Sequence, residues 1–163
     1  MYLVVMKGMP GSGKTTLSRA LGRQLGWPVI DKDMSRPILL DGARAYQVMF
    51  LQAQDLLRQG FNVICDSPLT GPKAYGAAYE ISDAAQAAFE VFKVLLPPDV
   101  AVALARNAGR EHKDFDTAVL DEIIEPIYEA FDTGAMRDEG WFIINSSHLS
   151  VAETVDEILR VTG

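Results

Sequence analysis

Gly8-Met9-Pro10-Gly11-Ser12-Gly13-Lys14-Thr15 decides how the rest of this 163-residue chain is read. The stretch fits G-x-x-x-x-G-K-[ST], a phosphate-binding loop. Its glycines let the backbone turn tightly and bring N–H groups close to phosphate oxygens. In that pattern Lys14 reaches the β- and γ-phosphates, and the Thr15 hydroxyl sits on Mg²⁺. The plain alternative is a glycine-rich turn with a stray lysine. The flanks argue against it. Tyr2-Leu3-Val4-Val5-Met6 is a short apolar, β-branched run that reads as a buried strand. Leu17, Leu21 and Leu25 recur at helical spacing, and Gly26 stops that helix. Its dipole aims its positive end at the loop. Gly8, Met9, Pro10, Gly11, Ser12, Gly13, Lys14, Thr15 and Thr16 are the candidate nucleotide-binding residues.

Composition narrows the class. Apolar residues make up 48% and charged residues 23%, which fits one ordinary soluble domain over 1–163. No apolar run approaches the ~18 residues of a membrane helix, so no membrane partner is expected. No signal peptide is read at the start, and the single Cys65 suits the cytoplasm. Cys65 lies in an apolar run and reads as a buried structural thiol. The net charge of −7 argues against a long basic footprint for nucleic acid and toward a small-molecule substrate. The sequence carries no sign of its oligomeric state.

The remaining elements alternate. Trp27–Asp31 reads as a second strand running into Asp31-Lys32-Asp33-Met34-Ser35-Arg36. Asp33 and Arg36 share a face if the chain turns helical there. Asp33 is equally a helix cap or a catalytic acid on this reading. A helix over Ala43–Gln59 carries Tyr46, Met49, Phe50, Ala53, Leu56 and Leu57 on one stripe, and Gly60 ends it. Phe61–Asp66 is a third strand ending in an acid, the pattern of a residue that holds Mg²⁺. Residues 73–90 are alanine-rich and read as one or two helices. Phe89–Leu96 is a fourth strand, and Asp99 caps the helix after it. Arg106 and Arg110 are either phosphate-binding guanidinium groups or a solvated helix end. A helix over Ala118–Phe131 with a kink at Pro126, a strand over Trp141–Asn145 and a helix over Val151–Val161 complete the chain. In the last helix Val151, Val155, Ile158 and Leu159 are expected to face inward, with Ser150 as cap. Asn145-Ser146-Ser147 is a candidate for base contact. Five strands alternating with helices make a parallel sheet covered on both faces.

These motifs together resemble the P-loop kinases that include polynucleotide 5′-hydroxyl kinase, chloramphenicol phosphotransferase and zeta-toxin-like kinases. Asp33-x-x-Arg36 is similar to the Asp-x-x-Arg of the polynucleotide-kinase branch, and Asp66-Ser67 to that group's second acidic position. The resemblance implies a three-layer P-loop NTPase fold with sheet order 2-3-1-4-5 and ATP as donor. It implies a short lid segment at about 99–116 carrying Arg106 and Arg110. It also implies that Asp33 is the general base and that Arg36 contacts the acceptor. With Lys14, these four make up the expected catalytic set, and Thr15 and Asp66 the Mg²⁺ set. The expected activity is ATP-dependent transfer of the γ-phosphoryl group to a hydroxyl of a nucleoside, sugar or antibiotic. A nucleic-acid 5′-hydroxyl kinase and a non-kinase ATP-binding switch are the alternatives.

Overall fold

The computed structural model describes residues 1–35, 38–39, 42–67, 90–109, 124, 126, 128, 137 and 140–162. In chain order these form β1 (Tyr2–Gly8), α1 (Lys14–Leu25), β2 (Val29–Asp31), a 3₁₀ turn (Lys32–Ser35) and α2 (Gly42–Arg58). Then come β3 (Val63–Ser67), β4 (Glu90–Leu96), α3 (Val100–Ala108), β5 (Phe142–Ile143) and α4 (Val151–Thr162). The strands form one parallel sheet in the order β2-β3-β1-β4-β5. This is the expected order, with helices on both faces.

Strand alternation sorts the core into two layers. Leu3 and Val5 of β1 and Val63 and Cys65 of β3 pack against Tyr46, Met49, Phe50, Ala53 and Leu57 of α2. Val4 and Met6 turn the other way, with Ile64, Val94 and Leu96, onto Leu17 and Leu21 of α1 and Val155 and Ile158 of α4. Met49, Phe50 and Leu57 are almost wholly buried, and each contributes about 1.5–3 kcal/mol. The expected stripe of α2 therefore faces the sheet, with Leu56 at its margin.

Several details of these elements differ from the sequence expectation. β2 begins at Val29, because Pro28 has no N–H to give, though its carbonyl accepts Ile64 N–H at 3.0 Å. β5 is two residues long and pairs only with β4, since Asn145 turns away to bond Asp99. Val151 is 45% exposed: it opens α4 at the rim of a cleft, ahead of the turn that first meets the sheet. Ser150 does cap α4, by a capping box in which Glu153 N–H and Ser150 N–H each bond the other's side chain. Asp99 stands at the start of α3 without a capping bond from its side chain. Ile124, Pro126 and Tyr128 are helical. The rest of the expected 118–131 helix and the 73–89 helices lie outside the described residues. Among the described residues no helix is long and apolar enough to cross a membrane.

Candidate phosphate-binding and transfer site

The glycine loop joins the C-terminal end of the central strand to α1, so it sits at the middle of the sheet's carboxyl edge. Gly11 and Gly13 have φ of 77° and 81°, which favours glycine. Gly11 is also shut in: a Cβ there would overlap the Ala103 carbonyl of α3. Ser12 N–H closes the turn on the Met9 carbonyl at 3.1 Å. Gly13 occupies the N-cap of α1 and supplies no side-chain acceptor. Apart from Lys14 N–H, which donates to Ser12 Oγ at 3.4 Å, the first amides of the helix are thus left for an anion. A cleft of about 820 Å³ opens over them, lined by residues 11–16 together with Arg106 and Ser146. Gly8, Met9 and Pro10 are outside its lining, and Met9 is buried.

Asp66 is the second feature of the site. It is the penultimate residue of β3, beside β1, is 1% exposed, and faces Asp31 of β2 in register. Neither carboxylate oxygen has a hydrogen bond of normal geometry. Burial raises its pKa, the Lys14 ammonium and Thr15 hydroxyl pull it down, and Asp31 and Asp33 push it up. Lys14, Thr15 and three carboxylates therefore converge within electrostatic reach of one another. A buried carboxylate with unfilled oxygens next to a threonine hydroxyl fits a hard divalent cation that also binds phosphate. Among the described residues no group of three or more His, Cys, Asp or Glu could hold a metal ion by itself. Mg²⁺ usually keeps waters and phosphate oxygens and needs only one or two protein carboxylates, so the two findings agree.

Asp33 lies just past the neighbouring strand. The capping role considered for it falls to Asp31, whose Oδ1 accepts Asp33 N–H at 2.9 Å. The Asp33 carboxylate instead meets Lys32 Nζ at 3.1 Å. Lys32 is buried, and its ammonium stands 4.7 Å from the Tyr46 ring centroid. Arg36 lies outside the described residues.

Arg106 projects from α3 into the cleft wall. It donates to the Ser12 carbonyl at 3.3 Å, to Ser146 Oγ at 3.2 Å and to the Ser146 carbonyl at 2.8 Å. Arg110 and the rest of the expected lid beyond residue 109 lie outside the described residues. The loop after β5, a candidate for base contact, is bound to protein at each residue. Asn145 donates to Asp99, Ser147 Oγ accepts Asp99 N–H, and buried Ser146 Oγ donates to the Ser12 carbonyl.

Sequence reasoning passed over three residues here. Lys7 is 2% exposed in the middle strand, its Nζ 5.2 Å from the Trp141 ring centroid. A charge inside an apolar strand next to the glycine loop was the available signal. Lys32, between two aspartates, was another. Tyr128, whose hydroxyl donates to the Pro10 carbonyl at 3.1 Å, had no sequence signal. Cys65 is buried, and burial beside Asp66 pushes its thiol up to about 12, as suits an inert structural residue.

A sequence profile of the AAA domain family AAA_33 matches residues 3–130, most of the chain and all of the loop, Asp33 and Asp66. The chain belongs to the AAA_33 family. No curated protein sequence matches it. Solved structures similar to this AAA_33 domain carry kinase names. A candidate kinase from Chloroflexus aurantiacus aligns over 98% of this chain and 97% of its own, with TM-score 0.71 and 18% identity. APS kinase CysC of Mycobacterium tuberculosis, in complex with AMPPNP and APS, aligns over 99% and 96%, with TM-score 0.67 and 15% identity. Shikimate kinase of Bacteroides thetaiotaomicron aligns over 99% and 98%, with TM-score 0.64 and 17% identity. At these identities the likeness establishes the fold, that of the P-loop NTPase kinases.

Proposed function

We propose that this AAA_33 domain is an ATP-dependent kinase that phosphorylates a hydroxyl group of a small molecule of nucleoside, sugar or antibiotic type. One observation carries the reading. Asp66, buried with both oxygens unfilled, stands beside Lys14 and Thr15, and Asp33 ends the adjacent strand connection. A pure binding module has no need of three acids crowded at that place. The names of the similar structures, which specify APS and shikimate as kinase substrates, support a small-molecule acceptor. The net charge of −7 ranks a nucleic-acid 5′-hydroxyl acceptor lower.

In this mechanism the loop amides and Lys14 hold the β- and γ-phosphates. Thr15 and Asp66 would hold Mg²⁺, which when bound neutralises charge between those phosphates. The acceptor oxygen bonds to the γ-phosphorus while the bond to the β–γ bridging oxygen breaks. Asp33 takes the hydroxyl proton. In a loose transition state that proton leaves late, so the carboxylate need not be unusually basic. Arg36 orients the acceptor, and Arg106 and Arg110 add positive charge along the phosphate chain.

The Lys32–Asp33 ion pair favours a second reading, a nucleotide-binding switch in which Asp33 is structural. ADP release measured with and without a panel of nucleosides, sugars, aminoglycosides and a short 5′-hydroxyl oligonucleotide separates the readings. A kinase gives acceptor-dependent release and a phosphorylated product. Acceptor-independent hydrolysis, or none, supports the switch.

A further inference from the structure

Two carbonyls of the glycine loop are held by residues from distant parts of the chain. The Pro10 carbonyl accepts the Tyr128 hydroxyl at 3.1 Å. The Ser12 carbonyl accepts Arg106 Nη1 at 3.3 Å and Ser146 Oγ at 3.4 Å. Arg106 also grips Ser146 through its hydroxyl and carbonyl oxygens, so the two act as one strut. No peptide bond described here is cis. In a trans peptide the C=O and the following N–H lie in one plane and point opposite ways. Holding the Pro10 carbonyl on Tyr128 therefore fixes Gly11 N–H on the opposite side of that peptide. Holding the Ser12 carbonyl on Arg106 and Ser146 likewise fixes the direction of Gly13 N–H. Gly11 and Gly13 both line the cleft, and a glycine peptide is the easiest to rotate when nothing outside the loop restrains it. Amides aimed in advance cost no reorganisation when the anion arrives.

We propose that Tyr128 and Ser146 are positioning residues of the phosphate cradle, aiming Gly11 N–H and Gly13 N–H respectively at the phosphates of the bound nucleotide. The assignment rests on reading the loop as a nucleotide site and adds the residues that set its geometry. Ser146 is 2% exposed, so its hydroxyl has no competing solvent. Burial pushes the Tyr128 phenol up to about 12 against the pull of Arg106, so it stays a donor throughout the working range.

The test uses the full chain labelled with ¹⁵N-glycine, as wild type, Tyr128→Phe and Ser146→Ala. Each variant removes one hydroxyl and little volume. ADP affinity with Mg²⁺ should fall roughly three- to tenfold in each, the scale of one lost hydrogen bond. Thermal midpoints of the free proteins should stay within about 2 °C of wild type. The signature of positioning is selective: Tyr128→Phe moves the Gly11 amide resonance and Ser146→Ala that of Gly13, in the free protein and in its ADP complex. Wild-type ADP affinity in both variants, or glycine shifts that do not follow this pairing, overturns the proposal alone. Wild-type protein that does not bind ADP overturns the nucleotide reading and this proposal with it. If Tyr128→Phe does not fold, Ser146→Ala and the Gly13 resonance decide the matter.

Discussion

The C-terminal parts of β2 and β3 lie side by side at the same level of the sheet, with Asp31 opposite Asp66. Their carboxylates are treated differently. Near β2 every acid has a counterpart: Asp31 accepts Asp33 N–H and lies 3.7 Å from an Arg19 nitrogen, and Asp33 meets Lys32. At β3 Asp66 is more deeply buried and lacks a hydrogen bond of normal geometry, and burial raises its pKa against the pull of Lys14 and Thr15. Like charges abreast on neighbouring strands are unfavourable. A fold that keeps them leaves the cost at β3, where a cation can offset it, and balances the charge near β2. Under the proposed function, this difference supports Asp66 as the Mg²⁺ ligand and Asp33 as the acceptor-facing acid.

The largest expected effect comes from the cation beside Asp66. Lys14→Met should reduce turnover by about 10³-fold or more with circular dichroism unchanged, because the half-buried ammonium proposed to hold the β- and γ-phosphates is lost. Retained turnover would detach the loop from the chemistry. Asp66→Asn comes next, with a loss of roughly 10²–10³-fold in Mg²⁺-dependent turnover and an opposite effect on stability. A raised folded-state pKa means that protonation stabilises the fold. That contribution is fully present below the ordinary carboxylate range and is lost as pH rises through the raised value. Above that value the ligand-free protein bears the cost of the buried carboxylate, and Asn removes it. The thermal midpoint should rise by a few degrees, since ~1 kcal/mol moves it by about 2–4 °C in a domain of this size. The gain should vanish in acid. A lower midpoint at neutral pH would mean that Asp66 is satisfied in the free protein, and the contrast with β2 would be lost.

Asp33→Asn should lower kcat about 10²-fold while nucleotide affinity stays within about twofold. A Kd change instead of a kcat change would move Asp33 to the nucleotide side. Lys32→Met gives the smallest effect. It keeps the apolar stem over Tyr46 and removes only the partner of Asp33. A fall of about 2–4 °C in thermal midpoint and a change in kcat under about tenfold are expected, read by differential scanning calorimetry and steady-state kinetics. A loss as deep as that of Asp33→Asn would make the pair itself the working unit.

Much of this was legible residue by residue. The Leu17, Leu21 and α2 stripes face the sheet because helical periodicity leaves one face apolar, and the strand order followed from the loop's resemblance to known kinases. Val151 misled because it continues a four-residue spacing while the helix has only begun there and has nothing yet to pack on. Asp99 misled because capping preference is local, whereas its carboxylate is drawn to Asn145, 46 positions away. The partners of Arg106 and Tyr128 were illegible for the same reason. Each bonds a backbone carbonyl of the loop from about a hundred residues away, and a carbonyl carries no sequence signature.

The sequence by itself determined the alternation of strands and helices, the glycine loop and the placement of acids at strand ends. These depend on side-chain periodicity and on backbone freedom, which are local properties. Only the tertiary structure decided which acid is balanced and which is left open, and which groups hold the loop's carbonyls. Charge compensation and the direction of a peptide plane depend on atoms brought together by the fold, not on neighbours along the chain.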